Sequence, residues 1–176
     1  MKYMWIGLLA MFGVGLLMLP SGIHLGAAGT DAGQQMKDRA EIDALMWRYV
    51  RALDSLDPDG YSGVYTPDGV FGSGPSVTKG GDALKKMIAD IKSGQAARLE
   101  KGETAGPMYH VITNESVEFP AKDQAVVRAY WMTVFGGAAR GEQARVAAVG
   151  RSIDQLVKVN GKWLIKSRNV NPGASE

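Results

Sequence analysis

The chain has 176 residues, enough for one domain with a substantial core, and its 45% apolar and 22% charged content is ordinary for a folded globular protein. Twenty basic residues against eighteen acidic ones leave a net charge of +2, too weak a field to steer DNA or RNA, so no nucleic-acid partner is expected. Cysteine is absent, which removes lipoprotein attachment, disulfide bracing and thiolate metal sites.

Lys2 precedes "MWIGLLAMFGVGLLML" (residues 4–19), a run of sixteen residues without charge. Pro20, Ser21 and Gly22 break the run, and Gly26 and Ala28 supply small residues at the −3 and −1 positions of a cleavage site. That order is the one found in a secretory signal, so residues 1–28 read as a leader and the domain as secreted or periplasmic. The alternative is an uncleaved membrane anchor, although sixteen residues fall short of the ~20 that span a bilayer. Residues 29–37 then read as a polar linker.

From Asp38 the pattern is helical, with Ile42, Leu45, Met46, Tyr49, Leu53 and Leu56 recurring at steps of three and four. Pro58 sets the end of that helix. "PDGYSGVY" reads as a short helix or turn, "TPDGVF" as a brief strand ending at Phe71, and "GSGPSVTKGG" as a flexible loop. A second long helix is expected over 82–100, with Leu84, Met87, Ile88 and Ile91 on its inner face. Strands follow at 109–119, 123–135, 145–159 and 162–170, the last two joined by Asn160-Gly161, a strong hairpin signal. Helices followed by an antiparallel meander give an α+β fold with helices on one face of a curved sheet. The 123–135 strand is apolar on both faces: Val127, Ala129 and Trp131 on one, Val126, Tyr130, Met132 and Val134 on the other. The helices cover one face, and a second copy of the chain, in a homodimer, is expected to cover the other.

The order of helix, "ALDSLDPDGYSGVYTPDGVF", second helix, "YHVITNESVEF" and a meander ending in "VNGKWLIKSRNV" resembles the SnoaL-like branch of the nuclear transport factor 2-like superfamily, over roughly residues 38–172, with 173–176 as a tail. The resemblance implies a conical α+β barrel around a deep, mostly apolar pocket that takes a small apolar molecule. In scytalone dehydratase, which shares the fold, a carboxylate matches Asp54 and a histidine matches His110. That enzyme's second catalytic histidine has no counterpart, and the tyrosine before its aspartate is Leu53 here.

His110 is the only histidine outside the leader, His24 being the other. Imidazole can take and return a proton near neutrality, so His110 is the candidate acid or base. Asp54 sits beside Val50 and Trp47 at the edge of the apolar stripe and near a helix C-terminus, where the dipole disfavours a carboxylate. Pairing with His110 would offset that cost and orient the imidazole. Tyr49, Asn114, Trp131 and Phe71 are the candidate ligand contacts. Val111, Val117 and Phe119 form the more apolar parity of the His110 strand, which leaves His110 on the more polar side unless a bulge intervenes. "SLDPDGYSGVYT" has Thr66 where a calcium loop needs its bidentate Glu, and "GSGPSVTKGG" lacks the Gly-Lys-Ser/Thr of a phosphate loop. No nucleotide, metal or flavin is implied. The reading is cofactor-free acid–base chemistry (dehydration, isomerisation or hydrolysis), with a non-enzymatic ligand-binding or assembly module as the alternative, in which case the chain meets a membrane only through an uncleaved leader.

Overall fold

The computed structural model describes residues 25–173, and the uncharged run of the leader lies outside them. Helix α1 (Leu25–Asp54) begins thirteen residues before the expected start at Asp38, so the segment expected to be a linker is helical. The reason is visible in burial. Residues 31–37 are all exposed, so they carry no apolar periodicity, yet they contain no proline and no β-branched side chain. From residue 31 on, burial starts at Asp38 and continues through Ile42, Leu45, Met46, Tyr49 and Val50 on the inward face. Among the described residues no helix is long and apolar enough to cross a membrane.

Helix α2 (Pro58–Gly63) starts with Pro58 in its first turn, and the Asp57 side chain accepts from the Gly60 N–H at 3.1 Å. Strands β1 (Tyr65–Phe71) and β2 (Thr78–Lys79) form a small antiparallel pair. The segment between them, expected to be a loop, contains a single helical turn at Gly74–Ser76. Helix α3 (Gly81–Glu100) buries Leu84 and Ile88, but Ile91, expected on the same face, is 44% exposed. The helix runs past α2 and the small β1–β2 corner that it packs on, and its later turns meet solvent.

Strands β3 (Met108–Ala121), β4 (Gln124–Phe135), β5 (Arg145–Val159) and β6 (Lys162–Asn169) form the meander. Asn160 and Gly161 both have positive φ, 50° and 77°, as a tight β5–β6 hairpin requires. The sheet order is β2-β1-β6-β5-β4-β3, with β1 parallel to β6 and every other pair antiparallel. The sheet curves without closing, so β2 and β3 are its edges. The α+β expectation holds, in the form of an open cone.

Two irregularities decide which side chains enter the cone. In β3 the pairing with β4 shifts between Thr113 and Ser116, where Asn114 has φ 54°. The extra residue puts His110 and Ile112 on the same inner face as Val117 and Phe119, which resolves the conflict of parity within that strand. In β6 the pairing with β5 shifts after Ile165, so Arg168 turns inward to face Asp154 where strict alternation would have brought Ser167.

At the base of the cone, Asp38 on α1 accepts hydrogen bonds from Trp163 Nε1 at 3.0 Å, from Gln34 at 3.2 Å and from Lys158, which also pairs with Glu41 at 2.9 Å. Burial pushes the Asp38 carboxyl up, but these donors and the Lys158 charge outweigh it and hold it below its ordinary value of 3.8. A carboxylate with a lowered folded pKa contributes stability above its unfolded pKa and loses it as pH falls through the folded value. Thermal unfolding followed between about pH 5 and about pH 3 should therefore show a steep loss of Tm on the acid side. Asp38→Ala should lower stability at neutral pH by about 2–4 kcal/mol, because Lys158 and the Trp163 N–H lose their acceptor, and should flatten that acid limb.

Candidate active site

Asp54 is the last residue of α1, and the chain leaves the helix through a compact C-terminal turn. The Asp57 N–H bonds to the Ala52 carbonyl at 2.8 Å and the Leu56 N–H to the Leu53 carbonyl at 3.2 Å, the paired pattern that closes a helix. Such a turn places one residue in the left-handed region, where glycine is usual. Here it is Leu56, with φ 49° and 6% exposure. The conformation costs about 1 kcal/mol for a non-glycine residue, and the buried side chain offsets that cost by anchoring the helix end in the core.

So held, Asp54 Oδ1 accepts two hydrogen bonds from one residue of the edge strand. The His110 backbone N–H lies at 2.9 Å and His110 Nδ1 at 2.7 Å. Both side chains are mostly buried, at 12% exposure for Asp54 and 17% for His110. With the carboxylate ionised, Nδ1 carries its proton toward Asp54, and Nε2 is left with a lone pair. No partner for Nε2 is present among the described residues. An imidazole oriented through Nδ1 and open at Nε2 is the geometry of a general base that can return the proton as an acid.

His110 lines a cleft of about 560 Å³ between α1 and the β3 edge. Met46, Val50 and Ile112 give it an apolar interior, Trp47 and Val111 stand at the exposed rim, and Arg39, Asp43 and Glu115 are its charged residues. Among the described residues no group of three or more His, Cys, Asp or Glu side chains is placed to hold a metal ion.

The other residues singled out from sequence lie elsewhere. Tyr49 is buried beside Tyr61 and Tyr65, at ring-centroid distances of 5.4 and 6.4 Å, with the Arg168 guanidinium 4.4 Å above its ring. Phe71 packs edge-on against Tyr61 at 6.5 Å. Trp131 donates its indole N–H to the carbonyls of Arg151 and Val170, each at 3.0 Å, and fills the space left by Gly150. Asn114, expected on the wall beside His110, is exposed, because the bulge it forms takes its side chain off that face.

Sequence reasoning missed the buried pair Arg168–Asp154, at 2% and 0% exposure. Asp154 also accepts from Ser152 at 3.4 Å, while Asp154 Oδ1 and Arg168 Nε have no partner. Burial pushes the Asp154 carboxyl up to about 6 against the pull of the Arg168 charge. Burial likewise raises the three tyrosines, which stay neutral hydrogen-bonding phenols. The signal in β5 was legible, since Ser152 and Asp154 share the parity of buried Leu156; that of Arg168 was hidden by the β6 irregularity.

An open α+β cone with a carboxylate-oriented imidazole beside a cleft defines the class of fold. The SnoaL-like domain family matches residues 34–169, and the chain belongs to it. Among solved structures the chain is similar to an NTF2-like protein with a cystatin-like fold from Novosphingobium aromaticivorans, at 20% identity over 88% of this chain and 96% of that one, with a TM-score of 0.68. It is similar to a variant of the Mycobacterium tuberculosis protein Rv3472, of unknown function, at 23% identity over 82% and 78%, with a TM-score of 0.65. A candidate scytalone dehydratase from Novosphingobium aromaticivorans aligns at 22% identity over 78% and 85%, with a TM-score of 0.62. At these identities the likeness establishes the fold. No curated protein matches the chain in sequence.

Asp54→Ala removes the acceptor from both His110 N–H groups, so the imidazole should move from the Nδ1–H tautomer toward Nε2–H. Long-range nitrogen–proton NMR on purified protein, with the His110 signal identified by its loss in His110→Gln, reads this directly. A wild-type ring already in the Nε2–H form would show that Asp54 does not set the tautomer.

Proposed function

We propose that this SnoaL-like domain binds a small, largely apolar molecule in the α1–β3 cleft and performs cofactor-free acid–base chemistry on it: dehydration, isomerisation or hydrolysis. The observation that carries the reading is the double acceptance by Asp54 Oδ1, at 2.9 and 2.7 Å, which leaves His110 Nε2 open beside the apolar cleft. His110 Nε2 takes a proton from the bound molecule, or in a hydrolysis from the attacking water, and returns it at a second position or to a leaving oxygen. Asp54 holds the ring and stabilises the imidazolium formed in between. A domain that only bound or assembled would not need this orientation.

Incubating the protein with a panel of β-hydroxy ketones, unconjugated enones and epoxides, with products followed by mass spectrometry, tests the chemistry. His110→Ala should reduce turnover by roughly 10²–10⁴-fold, the usual contribution of a positioned acid or base, with thermal stability little changed. Compounds that bind without turning over, with affinities indifferent to His110→Ala, would favour the non-enzymatic binding module.

Export and assembly belong to the same proposal. The uncharged leader run supports cleavage and a secreted or periplasmic site of action, with a membrane-anchored form as the alternative. The outer sheet face, where Tyr109, Val111, Tyr130 and Val149 are 49%, 41%, 53% and 69% exposed, supports a homodimer through that face. Intact mass and light scattering on protein from its native host check both. A start near Gly29 and a dimer that Met132→Asp dissociates are expected; a full-length monomer would refute them.

A further inference from the structure

We propose that Glu115 is a specificity-determining residue at the far end of the His110 cleft, donating a hydrogen bond from its carboxyl to an acceptor oxygen on the ligand. The inference rests on the ligand-binding reading of this cleft and adds the chemistry of what the cleft selects.

The placement comes from the bulge. Without the extra residue at Asn114, strict alternation would put position 115 on the face opposite His110. The shift in pairing between Thr113 and Ser116 returns Glu115 to the inner face, and both residues line the same cleft. At roughly 3.3 Å per residue their Cα atoms stand about 13–16 Å apart along β3. Glu115 is thus too far away to act on the atoms His110 attacks, and instead reads the other end of the same molecule. Ile112, between them on β3, and Met46 and Val50 on α1 line the same cleft.

The side chain is half-buried and has no hydrogen-bond or ion-pair partner among the described residues. A half-buried carboxyl without a protein partner is left to water, which a molecule entering the cleft can displace. The charged and titratable groups around it are Arg39 and Asp43 on α1, Asp154 on β5, Arg168 on β6 and His110 on its own strand. Burial and the Asp43 charge push its carboxyl up more strongly than Arg39 and Arg168 draw it down. A protonated carboxyl is a donor and suits a carbonyl or ether oxygen, whereas an ionised one would repel such an acceptor. The ligand class is therefore an apolar body with an acceptor oxygen on the order of 10 Å from the atom that meets His110.

The test uses 4-acetylbiphenyl, whose oxygen can only accept, and 4-isopropylbiphenyl, which has nearly the same shape and no oxygen. Amide shifts of Val50 and Ile112 in the purified protein give the affinity of each and locate it. Wild type should prefer the ketone by roughly tenfold where the Glu115 carboxyl is protonated, the worth of one hydrogen bond, and lose the preference as pH rises and the carboxyl ionises. Glu115→Ala should remove the preference at every pH. Glu115→Gln, which keeps an N–H donor and cannot ionise, should retain part of it without pH dependence. Equal binding of both compounds by wild type, or a preference that survives Glu115→Ala, overturns the role of Glu115 and leaves the cleft reading standing. If neither compound moves the cleft amides, the cleft reading fails and this inference fails with it.

Discussion

A single carboxylate oxygen at the end of a thirty-residue helix accepts both the backbone and the ring N–H of one residue on the edge strand, and the geometry of the candidate site depends on that junction. Helix α1 and strand β3 are separated by 56 residues where they meet at Asp54 and His110, so nothing local holds them together. The helix end is set by the turn at Leu56, the strand is set by its pairing with β4, and Asp54 joins the two. An acidic residue there runs against the helix dipole. The two N–H groups of His110 supply the compensating donors. The same bond that stabilises an unfavourably placed charge also fixes which imidazole nitrogen is left free.

Deeper in the cone a second polar centre follows a different logic. Arg168 and Asp154 are taken almost wholly out of water, and the Arg168 guanidinium lies over the ring of Tyr49. Buried ion pairs of this kind contribute little net stability compared with apolar packing, but breaking one is costly because the remaining charge has no solvent. The pair, with Ser152 and the three tyrosines, therefore acts as a constraint on how α1, β1, β5 and β6 pack: few alternative arrangements satisfy both ions at once. Only two atoms of it, Asp154 Oδ1 and Arg168 Nε, go without partners.

Most of the architecture was legible in the chain. Apolar spacing from Ile42 to Leu53 marked the inward stripe of α1, Asn160-Gly161 marked the last hairpin, and the four long strands lie within a residue or two of their expected bounds. The Asp54–His110 contact was also anticipated, because a carboxylate at a helix C-terminus needs a donor and the chain offers one histidine beyond the leader. What stayed hidden were places where the local rule is broken by one residue. Alternation along β3 and β6 predicts the wrong inward side chains past Thr113 and past Ile165, which misplaced Asn114 and concealed Glu115 and Arg168. Residues 31–37 of α1 were invisible for the opposite reason: a stretch of helix that buries nothing leaves no periodic trace.

The bulge at Asn114 has a meaning beyond the cleft. β3 is fourteen residues long and stands at the open edge of the sheet, with Tyr109 and Val111 exposed on it. A straight edge of that length, rich in apolar and β-branched residues, is a template on which another chain can add a strand. The left-handed residue at Asn114 bends the strand, and Asp54 occupies the outward N–H of His110, so the row of free backbone groups is interrupted at two points. Residues that shape the cleft are thus also those that break up the edge on which another chain could add a strand.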